Sequence, residues 1–295
     1  MEDKQIAMRV SFISIVVNVV LSLFKLIAGI VAHSGAMISD AIHSASDVMS
    51  TFVVIIGVSI ANKASDKSHQ YGHERMESVA SIILAVLLFI TGVGIGLSGI
   101  EKILSGDGKS LLVPGRLALI AAVTSIVVKE WMYWFTRAAA KKINSGALMA
   151  DAWHHRSDAL SSIGSFVGIL GARMGFPILD PIASVVICFF ICKAAYDIFK
   201  DAINKMVDKS CDEETIVKIE ETIKTQEGVM AIDDIRTRLF GNKIYVDIEI
   251  AADGQQSLTQ AHGIAQGVHD MVEKNFPEVK HCMVHVNPCR PSVAD

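Results

Sequence analysis

The chain has 295 residues, of which 51% are hydrophobic and 20% are charged, and its formal net charge at pH 7 is −4. Apolar residues form long blocks across residues 1–207, whereas polar and alternating sequence fills the remainder. This distribution excludes a single soluble globular domain and indicates a membrane protein with a soluble tail.

Six segments of the first two thirds of the chain are long and apolar enough to cross a bilayer, which requires about 20 residues per helix. We therefore predict an all-α transmembrane domain of six helices over residues 1–207. The third segment contains a GxxxG pair, Gly92 and Gly96, which favours close helix packing within one subunit. The predicted spans are 8–32, 36–61, 77–103, 113–138, 144–172 and 179–206.

Lysine and arginine are unevenly distributed between the two sets of loops. One side of the predicted membrane collects eleven of these residues near the span ends, and the other side collects four. Cytoplasmic loops carry the excess of positive charge, so we predict that both termini are cytoplasmic. The first apolar run lacks a small-residue cleavage site and is read as a span, and the short loops fit a bacterial plasma (inner) membrane.

The last segment, residues 208–295, is predicted to be a cytoplasmic α+β domain. Apolar spacing predicts helices over 212–226 and 257–276, the second ending at Pro277. Strands are predicted over 231–239, 243–251 and 280–287, with Gly241-Asn242 as a hairpin turn. Helix, strand, strand, helix, strand in this order is typical of a ferredoxin-like module.

The second and fifth predicted spans repeat one pattern: an Asp, a His three residues later and an Asp four residues after that. Residues at i, i+3 and i+7 lie along one face of a helix. Each carboxylate at the centre of a bilayer costs about 2.5–3.5 kcal/mol, so these groups are expected to be paired, hydrated or metal-bound. The residues are Asp40, His43 and Asp47 in the second span and Asp151, His154 and Asp158 in the fifth.

Antiparallel pairing of these two spans predicts one intramembrane metal site. Two histidine nitrogens and two carboxylate oxygens can form the tetrahedron that zinc prefers. We predict that its ligands are His43, Asp47, His154 and Asp158. Asp40 and Asp151 are predicted to line the outer and inner approaches, and His155 to be a packing residue or a residue behind the ligands.

The loop after the second span predicts a second metal site. Asp66, His69 and His73 place three potential ligands within eight residues at the cytoplasmic face. The five cysteines contain no CxxC pair and are predicted to be structural thiols.

The six spans, the paired His/Asp motifs, the Asp66/His69/His73 loop and the tail together resemble the cation diffusion facilitators. This resemblance implies a homodimeric exporter of divalent metals driven by proton exchange. It also implies a tail metal site, in which His262 and His285 match the family's positions. Asp233, Glu249 and Asn287 replace His, His and Asp there, which favours harder ions or weaker binding, and His269 and His281 are alternative ligands.

We therefore predict a secondary active transporter, not an enzyme, that exports Zn²⁺ or Cd²⁺ in exchange for protons. Its predicted partners are divalent metal ions, protons, the bilayer and a second copy of the chain, with no nucleic acid and no prosthetic group. The metal is the predicted substrate and a candidate regulator. Export of Fe²⁺, or less readily of Mn²⁺ or Co²⁺, is an alternative, as are a membrane-anchored metal sensor and an intramembrane metal-dependent hydrolase.

Overall fold

The computed structural model of the protein describes residues 2–31, 35–105, 116–173 and 179–289, and within its helices some side chains lie outside the described part. The chain divides into two compact units, Met1–Ile203 and Asn204–Asp295. We describe the two units separately.

Unit 1 contains six long helices. Long apolar runs without internal proline favour these helices, and Pro181 stands at the third residue of α6, where a missing backbone N–H breaks no helical hydrogen bond. The helices are α1 (Glu2–Val31), α2 (Gly35–Ala61), α3 (Arg75–Ser105), α4 (Arg116–Lys142), α5 (Gly146–Arg173) and α6 (Leu179–Met206).

Two stretches within the described residues qualify as membrane spans by length and composition, Asp3–Ala28 and Arg75–Glu101. A shorter apolar stretch, Asp47–Ala61, follows the polar part of α2. The count of six spans therefore stays a prediction.

The distribution of polarity in unit 1 is the reverse of that in a water-soluble bundle. Asn18, Lys25 and Lys129 are at most 2% exposed, whereas Phe12 and Phe189 are about two-thirds exposed. Ionisable side chains at membrane depth face the interior of a bundle, and the surface that contacts lipid is apolar. This inversion indicates that the helices of unit 1 lie in a bilayer.

The helices pack as neighbours around α2 and α5. α1 contacts α2 and α4, α3 contacts α2 and α5, and α4 contacts α5. The GxxxG pair of α3 faces α6 of the same chain: a Cβ on Gly96 would lie 2.5 Å from Cys188 Sγ, and one on Gly92 would lie 2.8 Å from Ile191 Cγ2. The predicted packing within one subunit is confirmed for this motif.

Unit 2 has the predicted order of helix, strand, strand, helix, strand. Asp212 caps the first helix by accepting from the N–H of Thr215, and Ser257 forms a capping box with Gln260 at the second. The α+β prediction is confirmed, with boundaries within three residues of those expected. The elements are α7 (Glu213–Ile223), β1 (Ala231–Phe240), β2 (Lys243–Asp253), α8 (Leu258–Asn275) and β3 (Val279–Cys289).

The three strands form one sheet in the order β1-β2-β3, with β1 antiparallel and β3 parallel to β2. Gly241 has a φ of 65° in the two-residue turn between β1 and β2, a conformation that glycine adopts without steric cost. The register shifts between Ile232 and Asp234, which marks a β-bulge. One face of the sheet packs on α7 and α8 in a core that includes Ile219, Val246, Ile248 and Val268.

The described cysteines are free thiols. Burial in the core of unit 2 raises the pKa of Cys282 to about 12, so this thiol is inert at neutral pH. Its position agrees with a structural role.

Candidate metal-binding sites

Helices α2 and α5 run antiparallel through the polar interior of unit 1. Asp47 of α2 lies beside His154 of α5, and the later residue Thr51 lies beside the earlier Asp151. Positions further along α2 therefore meet positions earlier in α5. This arrangement is the pairing that the repeated motif predicts.

Three of the four predicted intramembrane ligands converge. One ligand atom each of Asp47, His154 and Asp158 lies within 4.8 Å of the other two. His154 Nε2 is 3.4 Å from Asp47 Oδ1. Asp47 and Asp158 are 3% and 8% exposed, so the carboxylates are shielded from bulk water. One nitrogen and two oxygens in this geometry form an incomplete coordination sphere for a divalent metal.

The side chains of His43 and Asp40 lie outside the described residues, although their backbone belongs to α2. The fourth predicted ligand and the predicted outer-approach residue therefore stay predictions.

Lys129 of α4 lies between the two carboxylates of this cluster. Its Nζ donates to Asp47 Oδ2 at 2.5 Å and to Asp158 Oδ2 at 2.8 Å, and the residue is 1% exposed. Such charge-assisted hydrogen bonds are stronger than neutral ones. Removal of one partner from a buried pair of this kind destabilises the fold, because it leaves the other charge uncompensated. Lys129 thus belongs to the site.

Asp151 and His155 form a second buried polar group on α5: Asp151 lies three residues before the ligand His154, and His155 directly follows His154. Asp151 Oδ1 accepts from Ser50 Oγ at 3.3 Å and from Thr51 Oγ1 at 3.4 Å. His155 Nε2 lies 3.6 Å from Asp151 Oδ2, and both residues are fully buried. Asp151 is thus outside the three-residue cluster, and its role in an inner approach stays a prediction.

The sequence reasoning missed Lys129. The predicted span 113–138 contains this lysine next to Glu130, in an otherwise apolar stretch, and a charge within a span is itself a functional signal. Lys25 of α1 carried the same signal, and its Nζ donates to Ser44 Oγ of α2 at 2.9 Å while 2% of the residue is exposed. A lysine inside a span thus signals a buried polar contact, but it does not identify the partner.

The loop between α2 and α3 brings its three predicted ligands together. Asp66 Oδ1 lies 3.4 Å from His69 Nδ1, and Asp66 Oδ2 lies 3.4 Å from His73 Nε2. The two imidazole centroids are 4.5 Å apart. All three ligand atoms lie within 4.8 Å of one another, which is compatible with one bound ion.

Backbone hydrogen bonds fix the carboxylate of this loop. Asp66 Oδ1 accepts from the N–H groups of Ser68 and His69 at 2.9 and 2.8 Å, and Oδ2 accepts from Lys63 Nζ at 3.1 Å. These bonds, with that from His69 the largest effect, hold the pKa of Asp66 well below its usual range. Gly72, with a φ of 102°, then turns the chain so that His73 stands just before α3.

The four predicted tail ligands do not form one cluster within the described residues of one chain, although Glu249 and His285 are register partners on β2 and β3. His262 lies on α8, on the core side of the sheet, whereas His285 alternates with core residues Val284 and Val286 and faces the other side. Asn287 Nδ2 donates to Asp233 Oδ2 at 2.8 Å and to Glu249 Oε2 at 3.4 Å. The amide group thus bridges the two carboxylates.

The alternative histidines of the tail are also apart. His269 Nδ1 is 2.7 Å from the carbonyl oxygen of Cys282, and His269 Nε2 is 3.4 Å from Glu273 Oε1. His281 lies beside the ring of Tyr245, with centroids 5.8 Å apart. The described clusters of three or more metal-ligating side chains are those of α2/α5 and the loop.

Comparison with known proteins identifies both units. Residues 11–207 match the family model of the cation efflux transmembrane domain, and residues 211–289 match that of the cation efflux protein cytoplasmic domain. The chain is 36% identical over 275 residues to an uncharacterised transporter of Methanocaldococcus jannaschii, a match that covers 93% of this chain and 96% of that protein.

Two further relatives match along nearly the whole chain. The manganese efflux system protein MneP of Bacillus subtilis is 32% identical, with 97% of this chain and 98% of MneP covered. Metal tolerance protein C1 of Arabidopsis thaliana is 34% identical, with 91% of this chain and 59% of the plant protein covered. This chain therefore spans little more than half the length of the plant protein.

An apolar-surfaced helical bundle with buried carboxylates, followed by a small α+β domain, defines a membrane transporter of divalent metal cations. With both domain models and relatives along its whole length, the chain belongs to the cation diffusion facilitator family. Members of this family move metal ions as substrates, so the metal is cargo and the protein is not an enzyme.

Proposed function

We propose that the protein exports zinc or cadmium across the plasma membrane in exchange for protons. The observation that carries this proposal is the convergence of Asp47, His154 and Asp158 from two helices in the interior of unit 1. Carboxylate and imidazole ligands suit first-row divalent metals, and zinc accepts this mixed set in a tetrahedral site.

Proton exchange follows from the chemistry of these ligands. Histidine binds metal only when it is neutral, and aspartate binds it only when it is ionised, so metal and protons compete for one site. Loading at the side of lower proton activity and release at the side of higher proton activity then couple metal export to proton entry. Rearrangement of α2 and α5 against the other helices is the proposed means of alternating access.

Manganese is the second candidate substrate. The relatives MneP and MneS of Bacillus subtilis, 32% and 33% identical to this chain, are both named manganese efflux system proteins. Two of the three described ligand atoms are carboxylate oxygens, the ligand type that manganese prefers. Iron(II) shares these preferences, and the histidines favour zinc over both.

The remaining features fit a transporter of this kind. We infer a transmembrane domain of six spans over 1–207, a cytoplasmic domain over 208–295 and cytoplasmic termini. The match of residues 211–289 to a cation efflux cytoplasmic domain supports a homodimer. We assign the loop site of Asp66, His69 and His73 as a second metal site, at the cytoplasmic face.

Flux in proteoliposomes with an imposed pH gradient tests the proposal. Zinc, cadmium, iron(II) and manganese are compared for the wild type and for Asp47→Ala and Asp158→Ala. We expect zinc or cadmium flux that follows the gradient and falls below detection in both variants. Asp197→Ala, which removes an exposed carboxylate of α6, is the matched control and is expected to retain the flux.

The result identifies the substrate as well as the site. Manganese flux without zinc flux would assign the second candidate at the same site. Flux of any metal that persists in both ligand variants would refute the intramembrane site. Zinc flux that does not depend on the pH gradient would refute proton exchange.

A further inference from the structure

The ammonium group of Lys129 occupies the place that a metal bound by both carboxylates would take. Its Nζ is 2.5 Å from Asp47 Oδ2 and 2.8 Å from Asp158 Oδ2. A zinc ion bound by the same oxygens requires distances of about 2.0–2.2 Å from them. The ammonium group and the metal therefore exclude each other from this position.

The environment makes this competition strong. Lys129, Asp47 and Asp158 have side chains that are 2%, 2% and 8% exposed. Charges so far from water interact strongly, and an unpaired one is costly. The single positive charge of Lys129 reduces the charge of the two carboxylates from −2 to −1 without any bound metal.

We propose that Lys129 is a tethered counter-cation that exchanges with the transported metal. The side chain offsets one of the two negative charges of Asp47 and Asp158 when metal is absent, and an arriving divalent ion displaces it. After release of the metal, the ammonium group returns to the carboxylates. The inference rests on the proposed function, because it assigns a role in the transport cycle of the same site.

Neighbouring polar groups are alternative hydrogen-bond partners for the displaced ammonium group. Ser125, one turn before Lys129 on α4, is buried, and its hydroxyl has no hydrogen-bond partner among the described residues. Asp151 Oδ2 also accepts no hydrogen bond within the described part of the chain. A flexible four-carbon stem allows a lysine to change partners without movement of the helix.

Lys129 acts in the half of the transport cycle in which the protein carries no metal. Net export requires the metal-free protein to reorient, and in that step Lys129 compensates the buried carboxylates. Exchange of metal for metal across the membrane needs only the loaded form, in which Lys129 has been displaced. Loss of the positive charge should therefore stop net export and spare exchange.

Radioactive zinc in proteoliposomes separates these two activities, or manganese where the wild type transports manganese instead. Net export into metal-free medium is compared with exchange against the unlabelled ion. We expect Lys129→Gln, whose amide still donates hydrogen bonds, to lower net export by at least about tenfold while exchange stays within about threefold of the wild type. Lys193→Gln, an exposed lysine paired with Asp197 on α6, is the control and should change neither activity.

Metal binding by the purified protein provides an independent readout. Lys129→Gln should bind the transported metal about tenfold more tightly than the wild type, because no ion pair has to be separated first. Lys129→Arg keeps the positive charge, and an arginine can hold a carboxylate with two parallel hydrogen bonds. The Arg variant of the protein should therefore bind the metal more weakly than the wild type, and it should retain net export. The Arg variant keeps the test decisive if the Gln variant does not fold.

Equal loss of net export and exchange in folded Lys129→Gln would show that the lysine only supports the site and would overturn the proposal. Unchanged or weaker metal binding by Lys129→Gln, or tighter binding by Lys129→Arg, would also overturn it. Absence of metal flux in the wild type would instead refute the proposed function, and the role of Lys129 with it.

Discussion

The hydroxyl group of Thr51 on α2 donates a hydrogen bond to Asp151 Oδ1 on α5, with 3.4 Å between the two oxygens. Both residues are fully buried. The bond joins the two helices that carry the metal ligands, one turn from Asp47, and so helps to set their register.

Thr51→Val should lower the stability of unit 1 by about 1–3 kcal/mol, because a buried carboxylate loses a donor while the side-chain shape is kept. Thermal unfolding in detergent measures the change. Thr136→Val is the matched control, since Thr136 is equally buried and its hydroxyl has no partner in the described part of the chain. Equal effects of the two variants would contradict a role for the Thr51–Asp151 bond.

Asp66→Asn should weaken zinc binding at the loop site throughout the range from pH 5 to 8, because it removes the charged oxygen ligand of the cluster. The depressed pKa keeps Asp66 ionised throughout this range, so the carboxylate stays available as a ligand. Any stability that this carboxylate contributes is present above its unfolded pKa and is lost only in strong acid.

Calorimetric titration with zinc between pH 5 and 8 tests the Asp66 prediction. It uses a protein that also carries Asp47→Ala and Asp158→Ala, which remove zinc binding at the intramembrane cluster. His69→Ala, which removes a second ligand of the same cluster, should also weaken binding. Zinc binding by Asp66→Asn equal to that of the background would contradict a role for this carboxylate as a ligand.

Gly96→Ala should destabilise the contact between α3 and α6 by about 1–3 kcal/mol, because the new methyl group overlaps Cys188 Sγ. Gly94→Ala is the control on the same helix, where a Cβ meets nothing within 4 Å. It should be neutral or stabilising by up to about 1 kcal/mol, because alanine favours helix over glycine. Cys188→Ala should partly rescue Gly96→Ala, and the absence of rescue would place the overlap elsewhere.

Asn287→Asp should make the stability of unit 2 dependent on divalent metal. A third carboxylate replaces the amide that bridges Asp233 and Glu249, so like charges repel until a cation binds. We expect a lower unfolding temperature in chelator and recovery with added manganese or zinc. Asn287→Ala removes the bridge without adding charge and should show no recovery with metal.

Local patterns predicted most of the fold. Apolar run length and strand alternation are properties of neighbouring residues, so the elements of unit 2 and the course of the helices of unit 1 follow closely from the sequence. The pairing of Asp47 with His154 was also predictable, because a repeated motif on two antiparallel helices fixes the register.

The tail site shows what such reasoning leaves open. Alignment to a family pattern placed Asp233 and Glu249 among metal ligands, yet their spacing depends on the bulge after Ile232 and on the amide of Asn287. These are three-strand relationships that no single strand encodes. Lys129 was missed for a similar reason, since its partners are 82 and 29 residues away in sequence.

The separation of 82 residues between Asp47 and Lys129 also determines the order in which the parts of the site are synthesised. Translation at about 5–20 residues per second delivers Lys129 on the order of ten seconds after Asp47 has been made. During that interval α2 carries a carboxylate whose cationic partner does not yet exist, and chains that end before α4 leave it permanently uncompensated. The buried site therefore cannot be complete until both α4 and α5 have been made.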